Sequence, residues 1–125
     1  MGIKIKKFID VRKQAGSFQN AFRGLKTAFC EEQSFKIQVI TALLVLVLMF
    51  YFPLHYIERA IILLAIIFVL GLELINSQVE RIMDVVQFDH NPKIKAIKDL
   101  SASAVLIAAL GALAIGFFIF LPYLL

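Results

Sequence analysis

Three long apolar runs, separated by short polar stretches, dominate the pattern of this chain. No charged residue occurs from 37 to 54 or from 100 to 125, and another apolar run follows Arg59 and keeps a helical pattern to about Val86. About 20 apolar residues cross the hydrocarbon of a bilayer, and only helices satisfy their own backbone groups there. The pattern therefore predicts three transmembrane helices, at about 35–54, 57–86 and 97–123.

The segment ahead of the first span combines basic residues with apolar residues at helical spacing. Phe18, Phe22, Leu25 and Phe29 recur at steps of three or four. This spacing predicts an amphipathic helix on the membrane surface, within about residues 1–33, although a charged tail that only sets topology is the alternative. The expected fold is an all-α membrane protein, with this surface helix and three spans forming one integral-membrane domain over 1–125.

Composition and charge favour a membrane setting over a nucleic-acid partner. Hydrophobic residues make up 61% of the 125 positions, and eight of the thirteen Lys and Arg residues lie in the first 36 positions. Basic ends beside apolar spans suit anionic lipid headgroups. The first loop carries only Arg59, whereas several basic residues surround the second loop. Since basic loops stay in the cytoplasm, we expect the N-terminus and second loop there and the C-terminus outside.

Polar residues at helical spacing mark the second span as the segment that carries chemistry. Glu73, Asn76, Ser77, Glu80 and Asp84 follow steps of three or four, which place them on one helical face. An acid inside a bilayer is costly, so Glu73, the deepest of the five, is a functional candidate by default. Glu80 and Asp84 are expected at the cytoplasmic interface.

Two further charged clusters lie at the same predicted membrane level as this face. They are Glu31 with Glu32 before the first span, and Lys98 with Asp99 before the third. Carboxylates at one height can hold Mg²⁺ while phosphate oxygens complete its shell, and a nearby Lys offsets phosphate charge. Taken singly, these residues are equally consistent with ordinary interfacial charges. A carboxylate-lined ion or proton carrier is the competing function, but it requires acids throughout the membrane depth.

Other motifs are absent or lack partners. The chain contains no G-x-x-x-x-G-K-[ST] phosphate loop, so a conventional nucleotide-binding fold is excluded. Cys30 is its single cysteine, which excludes an internal disulfide. His90 lacks a partner at ligand spacing and is interpreted as part of a turn before Pro92.

The polar segment of the second span resembles the signature of the prokaryotic diacylglycerol kinase family, which includes undecaprenol kinases. The segment 73–84 reads ELINSQVERIMD, and matching order and spacing extend to AFRG at 21–24, EQSFK at 32–36 and KDLSASAVL at 98–106. The resemblance covers about residues 17–120. It departs from the family at Gln78, where Ala is usual, and at Glu31, which leaves open whether Glu31 or Glu32 meets the metal.

The resemblance implies a membrane enzyme of the bacterial inner membrane that transfers phosphate from MgATP to the hydroxyl of a lipid, undecaprenol or diacylglycerol. It also implies a homotrimer whose active sites are shared between subunits. In such an enzyme Glu73 is the general base and Asn76 positions it and the reacting phosphate. The resemblance further implies that Glu32 and Glu80 bind Mg²⁺ and, through it, ATP. Lys98 would contact phosphate, and Asp99 would orient Lys98 or the nucleotide. Arg23 and Gly24 would lie close to the nucleotide.

Overall fold

The computed structural model describes residues 9–86 and 91–125, and the regular secondary structure in those ranges is helical. Predictions that fall on residues 1–8 of the surface helix and on the turn at His90 lie outside the described residues. Four helices follow in chain order: α1 (Val11–Glu31), α2 (Gln33–Tyr51), α3 (Tyr56–Val86) and α4 (Pro92–Leu124). By length and composition α2, α3 and α4 can each cross a membrane, which confirms the predicted all-α architecture with three candidate spans.

The last two helices are longer than a bilayer requires. With 31 residues in α3 and 33 in α4, a rise of about 1.5 Å per residue gives lengths of about 46 and 50 Å. The hydrocarbon of a bilayer is only about 30 Å thick. Both helices are therefore long enough to extend beyond the hydrocarbon, and α3 continues without a break into its polar end.

Local capping explains where three of the helices begin. Asp10 precedes α1, and its Oδ1 accepts hydrogen bonds from two first-turn N–H groups at 3.1 and 3.3 Å. At the start of α4, Asn91 Oδ1 accepts a hydrogen bond from the backbone N–H of Lys93 at 2.9 Å, and Pro92 occupies the first helical position. At the start of α3, Glu58 accepts from the backbone N–H of His55 at 3.0 Å, as the acid of a capping box does.

A single non-helical residue, Glu32, separates α1 from α2. Its backbone is extended, with φ −102° and ψ 107°. Its N–H donates to the carbonyl of Ala28 at 2.8 Å, and its own carbonyl accepts from Lys36 at 3.0 Å. The Glu32 side chain forms no cap hydrogen bond with α2. The backbone groups at this corner are thus satisfied without the carboxylate, which remains available to contact α3.

Packing is closest between α3 and α4, with α2 against α3 and α1 against α2. The principal apolar cluster lies near the α2–α3 loop and contains Met49, Leu54, Ile62 and Ile119. At the same end the Tyr123 hydroxyl donates to Glu58 Oε1 at 2.6 Å and joins the end of α4 to the start of α3. Elsewhere large apolar side chains cover the surface, and only 6% of the most apolar stretch of α4 is buried within the protein. Such a surface needs lipid tails or neighbouring helices around it.

Candidate functional site

The polar face of α3 is turned into the protein over its middle section. Glu73, Asn76 and Ser77 are 5%, 8% and 3% exposed. They continue the face that carries the buried Ile62 and Val69, because all five lie at helical spacing. The sequence had placed these residues on one helical face, and the cost of exposing an acid to lipid explains why that face turns inward.

The two deepest polar side chains have unused hydrogen-bonding capacity. Among the described residues Glu73 forms no hydrogen bond or ion pair, and the buried Asn76 Oδ1 accepts no hydrogen bond. Burial of a polar group without a partner costs several kcal/mol in apolar surroundings, roughly 2–7 for a neutral group and more for a charge. Glu32 and Glu80 lie close enough for their charges to act on Glu73. Side chains in this condition are suited to binding a substrate hydroxyl.

An arginine absent from the predicted site connects α3 to the α1–α2 corner. Arg81 Nε donates to Glu32 Oε1 at 2.8 Å, and Arg81 Nη2 lies 2.7 Å from the same oxygen. Nη2 also donates to Glu31 Oε2 at 2.9 Å. The sequence pattern had assigned Arg81 no role in the site. Its position four residues after Ser77 was the signal that could have placed it on the inward side of α3.

A polar pocket of about 390 Å³ opens beside this ion-pair cluster, between α1 and α3. It brings together three of the predicted nucleotide-binding residues, Arg23, Gly24 and Glu32, and adds Arg81 and Gln78. A Cβ built on Gly24 meets no atom within 4 Å, so the helix surface is open at this position. The remaining lining residues are Asn20, Thr27 and Ala28.

The other predicted nucleotide-binding residues lie outside this pocket in the single chain. Lys98 Nζ is 2.5 Å from Asp84 Oδ1, an ion pair that joins α4 to α3. Asp99 pairs with Lys95 at 3.7 Å, one turn away on α4. Glu80 is exposed and takes part in no ion pair among the described residues.

An apolar groove of about 660 Å³ runs between α2, α3 and α4. Its lining includes Ile62 and Val69 of α3, and Gln38 and Thr41 of α2 are its polar members. Glu73 follows Val69 by one helical turn on the same face, so the groove leads toward the buried carboxyl group. An alkyl chain in the groove would therefore bring its headgroup to the level of Glu73.

The donor chemistry of the site fits Mg²⁺ that arrives with phosphate. In the ranges 9–86 and 91–125 no group of three acid, His or Cys side chains is arranged to hold a metal by itself. Mg²⁺ in phosphotransferases usually takes one or two carboxylates and completes its shell with substrate phosphates and water. Glu32 and Glu80 are the carboxylates that could serve this purpose. Both contacts of Glu32 with Arg81 use Oε1, so Oε2 has no partner among the described residues, and Glu80 is exposed.

Along α3, the unpaired carboxyl group of Glu73 lies between the residues that line the apolar groove and those that line the polar pocket. A membrane helix bundle with this arrangement has the features of an integral-membrane enzyme acting on lipid headgroups. Comparison with known proteins agrees. Residues 19–120 match the family described as prokaryotic diacylglycerol kinase. The match covers most of the sequence, and the chain belongs to this family.

Named relatives include two kinds of lipid kinase. The chain is 38% identical over 108 residues to the undecaprenol kinase of Bacillus subtilis, covering 86% of this chain and 88% of that protein. It is 37% identical over 84 residues to a diacylglycerol kinase of Helicobacter pylori, covering 67% and 66%. Identity to the diacylglycerol kinase of Escherichia coli is 27% over 105 residues, covering 84% of each. The chain is thus a membrane lipid kinase with ATP as its phosphate donor, as the resemblance implied.

Proposed function

We propose that this kinase transfers the γ-phosphate of MgATP directly to the hydroxyl of a membrane lipid alcohol, with Glu73 as the general base. The observation that carries the proposal is the position of Glu73. Its carboxyl group is buried, has no hydrogen-bonding partner among the described residues, and lies one turn beyond the apolar groove. A base so placed can meet a hydroxyl whose alkyl chain stays in the membrane.

In the proposed reaction Glu73 accepts the proton of the lipid hydroxyl as the oxygen attacks the γ-phosphorus. The bond from phosphorus to the bridging oxygen of the β-phosphate breaks, ADP leaves, and the proton passes from Glu73 to cytoplasmic water. Asn76, which is buried on the same face of α3, positions Glu73 and the reacting phosphate, to which its amide N–H group can donate. Bound Mg²⁺, held by Glu32 and Glu80, would offset the negative charge of the phosphates.

The nucleotide is proposed to occupy the polar pocket, with its phosphates toward the α1–α2 corner. Arg23 and Gly24 line this pocket, and the open helix surface at Gly24 leaves room for a ligand. Lys98 supplies a further phosphate contact, and Asp99 orients Lys98 or the nucleotide. Since Lys98 and Asp99 lie outside the pocket of the single chain, we propose a homotrimer in which neighbouring subunits share each site.

The proposed trimer has its N-terminus and second loop in the cytoplasm of a bacterium, its C-terminus outside, and α1 on the inner membrane surface. The exposed apolar surfaces of α2, α3 and α4 support this assembly, because they need helices or lipid against them. This orientation brings ATP to the polar end of α3 and keeps the Tyr123–Glu58 contact on the outer side.

We favour undecaprenol over diacylglycerol as the lipid acceptor. The similarity to the Bacillus subtilis undecaprenol kinase extends over 88% of that protein, further than the similarity to the Helicobacter pylori diacylglycerol kinase.

The test uses purified protein in mixed micelles with radiolabelled ATP, and compares undecaprenol with diacylglycerol at equal mole fraction. We expect faster formation of undecaprenyl phosphate and no reaction without Mg²⁺. A Mg²⁺ titration of Glu80→Gln should need a higher concentration for half-maximal rate, or give no activity. An unaltered titration curve would remove Glu80 from the metal site, and faster labelling of diacylglycerol would reverse the substrate assignment.

A further inference from the structure

We propose that Arg81 is a nucleotide-binding residue that contacts the ATP phosphates through Nη1, while Glu31 and Glu32 fix its orientation. The proposal rests on the assignment of the polar pocket to ATP and extends it to a residue that the family resemblance did not mark. Arg81 lines the pocket together with Arg23 and Gly24. Its side chain is 42% exposed, so the guanidinium group is accessible to a ligand.

The distribution of donors on the guanidinium group supports this role. Nε contacts Glu32, and Nη2 contacts both Glu31 and Glu32. Nη1 has no partner among the described residues. Arginine presents its N–H groups in a rigid planar fork, so two nitrogens can be held by carboxylates while the third points elsewhere. A phosphate oxygen in the pocket is the ligand whose charge matches that remaining donor.

The same contacts give Glu31 and Glu32 different tasks. Both contacts of Arg81 with Glu32 use Oε1, whereas Glu31 is contacted at Oε2. The Glu32 side chain is 22% exposed and lines the pocket, but the Glu31 side chain is 60% exposed and does not. Glu32 is therefore the acid that can present its second oxygen to Mg²⁺. Glu31 serves as an anchor for Arg81.

Charge balance explains why a cation is needed at this position. Two carboxylates at the corner would repel the phosphates of ATP, and Arg81 reduces their combined charge from −2 to −1. Removal of the guanidinium group leaves both acids uncompensated and also removes a phosphate donor. Phosphate binding should then weaken, while binding of the uncharged adenosine portion should not change.

The experiment measures binding by calorimetry on full-length protein in detergent, with EDTA present. The two probes are β,γ-methylene ATP, which carries the phosphates, and adenosine, which does not. We expect Arg81→Ala to weaken the ATP analogue by about tenfold to a hundredfold, the range for a lost charge-assisted hydrogen bond, and to leave adenosine unchanged. Arg81→Lys should recover only part of this loss, because an ammonium group restores the positive charge but cannot reproduce the planar fork.

Matched variants separate this role from a structural one. Lys26 is exposed on α1 and does not line the pocket, so Lys26→Ala removes a nearby positive charge and should leave both affinities unchanged. Equal loss of analogue and adenosine binding in Arg81→Ala would overturn the proposal, as would wild-type affinity for the analogue or full recovery by Arg81→Lys.

Failure of this proposal can be told apart from failure of the proposed metal site. The comparison of analogue with adenosine contains no Mg²⁺, so it reports on Arg81 alone. A parallel titration of Glu32→Gln with Mg²⁺ and ADP reports on the metal. If Glu32→Gln keeps the wild-type Mg²⁺ dependence, the metal assignment is wrong, and the Mg²⁺-free comparison still decides the role of the arginine.

Discussion

Replacement of Glu73 by Gln separates catalysis from folding in this enzyme. The substitution keeps the size of the side chain and removes its ability to accept a proton. Glu73 is 5% exposed and forms no hydrogen bond or ion pair among the described residues, so no partner is left unsatisfied by the change. We expect Glu73→Gln to fold and assemble normally and to unfold at a temperature no lower than the parent protein.

The expected kinetic effect follows from the role of a general base. Such a group contributes about 10²- to 10⁴-fold to the rate. At 1.36 kcal/mol per factor of ten, this range corresponds to about 3–5 kcal/mol of the activation barrier. Because Gln occupies the same volume, KM for ATP and for lipid should change little. The loss should appear almost wholly in kcat.

The assay is lipid phosphorylation in mixed micelles, with thermal unfolding and gel filtration of the same preparations. Glu58→Gln is the matched control, since Glu58 lies on the same helix but at the opposite end, hydrogen-bonded to Tyr123. It should retain kcat per folded molecule and lose stability, the reverse of the pattern for Glu73→Gln. A Glu73→Gln enzyme with kcat within a factor of a few of the parent would refute the assignment of Glu73 as base.

Three further substitutions test particular contacts. Gly24→Leu should fold, because a Cβ at this position meets no atom within 4 Å, but its side chain should occupy the pocket and lower ATP affinity about tenfold or more. The control is Gly16→Leu on the same helix, which has equally open space and should bind ATP normally. Equal binding by both variants would place the nucleotide elsewhere. Lys98→Met should raise KM for ATP about tenfold, because a charge-assisted contact with phosphate is lost. Asp84→Asn removes only the ion-pair partner of Lys98 and should leave KM unchanged. Equal effects of both variants in steady-state kinetics would show that Lys98 only connects α3 to α4. Tyr123→Phe removes the hydrogen bond to Glu58 and should lower the midpoint of thermal unfolding by a few degrees while kcat is retained. An unchanged midpoint would show that this contact between α3 and α4 does not stabilise the protein.

The separation of the predicted site residues within one chain has a physical explanation in the proposed assembly. Arg23, Gly24 and Glu32 line the polar pocket between α1 and α3, whereas Lys98 and Asp99 pair with residues of α3 and α4 outside it. In a trimer the second group would face the pocket of a neighbouring subunit. Crosslinking of cysteines placed at Lys98 and Gly24, in a mixture of single variants, would detect that arrangement between subunits.

The sequence alone determined the three spans and the polar face of α3. Both depend on local properties: apolar length sets which segments can cross a bilayer, and the helical period sets which residues share a face. The burial of Glu73, Asn76 and Ser77 agrees with the face that the spacing indicated. The family signature lies on the same residues, so the enzyme class was also accessible from the sequence.

Tertiary structure decided which charges meet. Arg81 and Glu32 are 49 positions apart, and Lys98 and Asp84 are 14 apart, so no helical period relates them. Their pairing depends on the angle of the corner at Glu32 and on how α3 packs against α4. The sequence could therefore name the acids of the site, but the arginine between them and the pocket beside it required the packed helices.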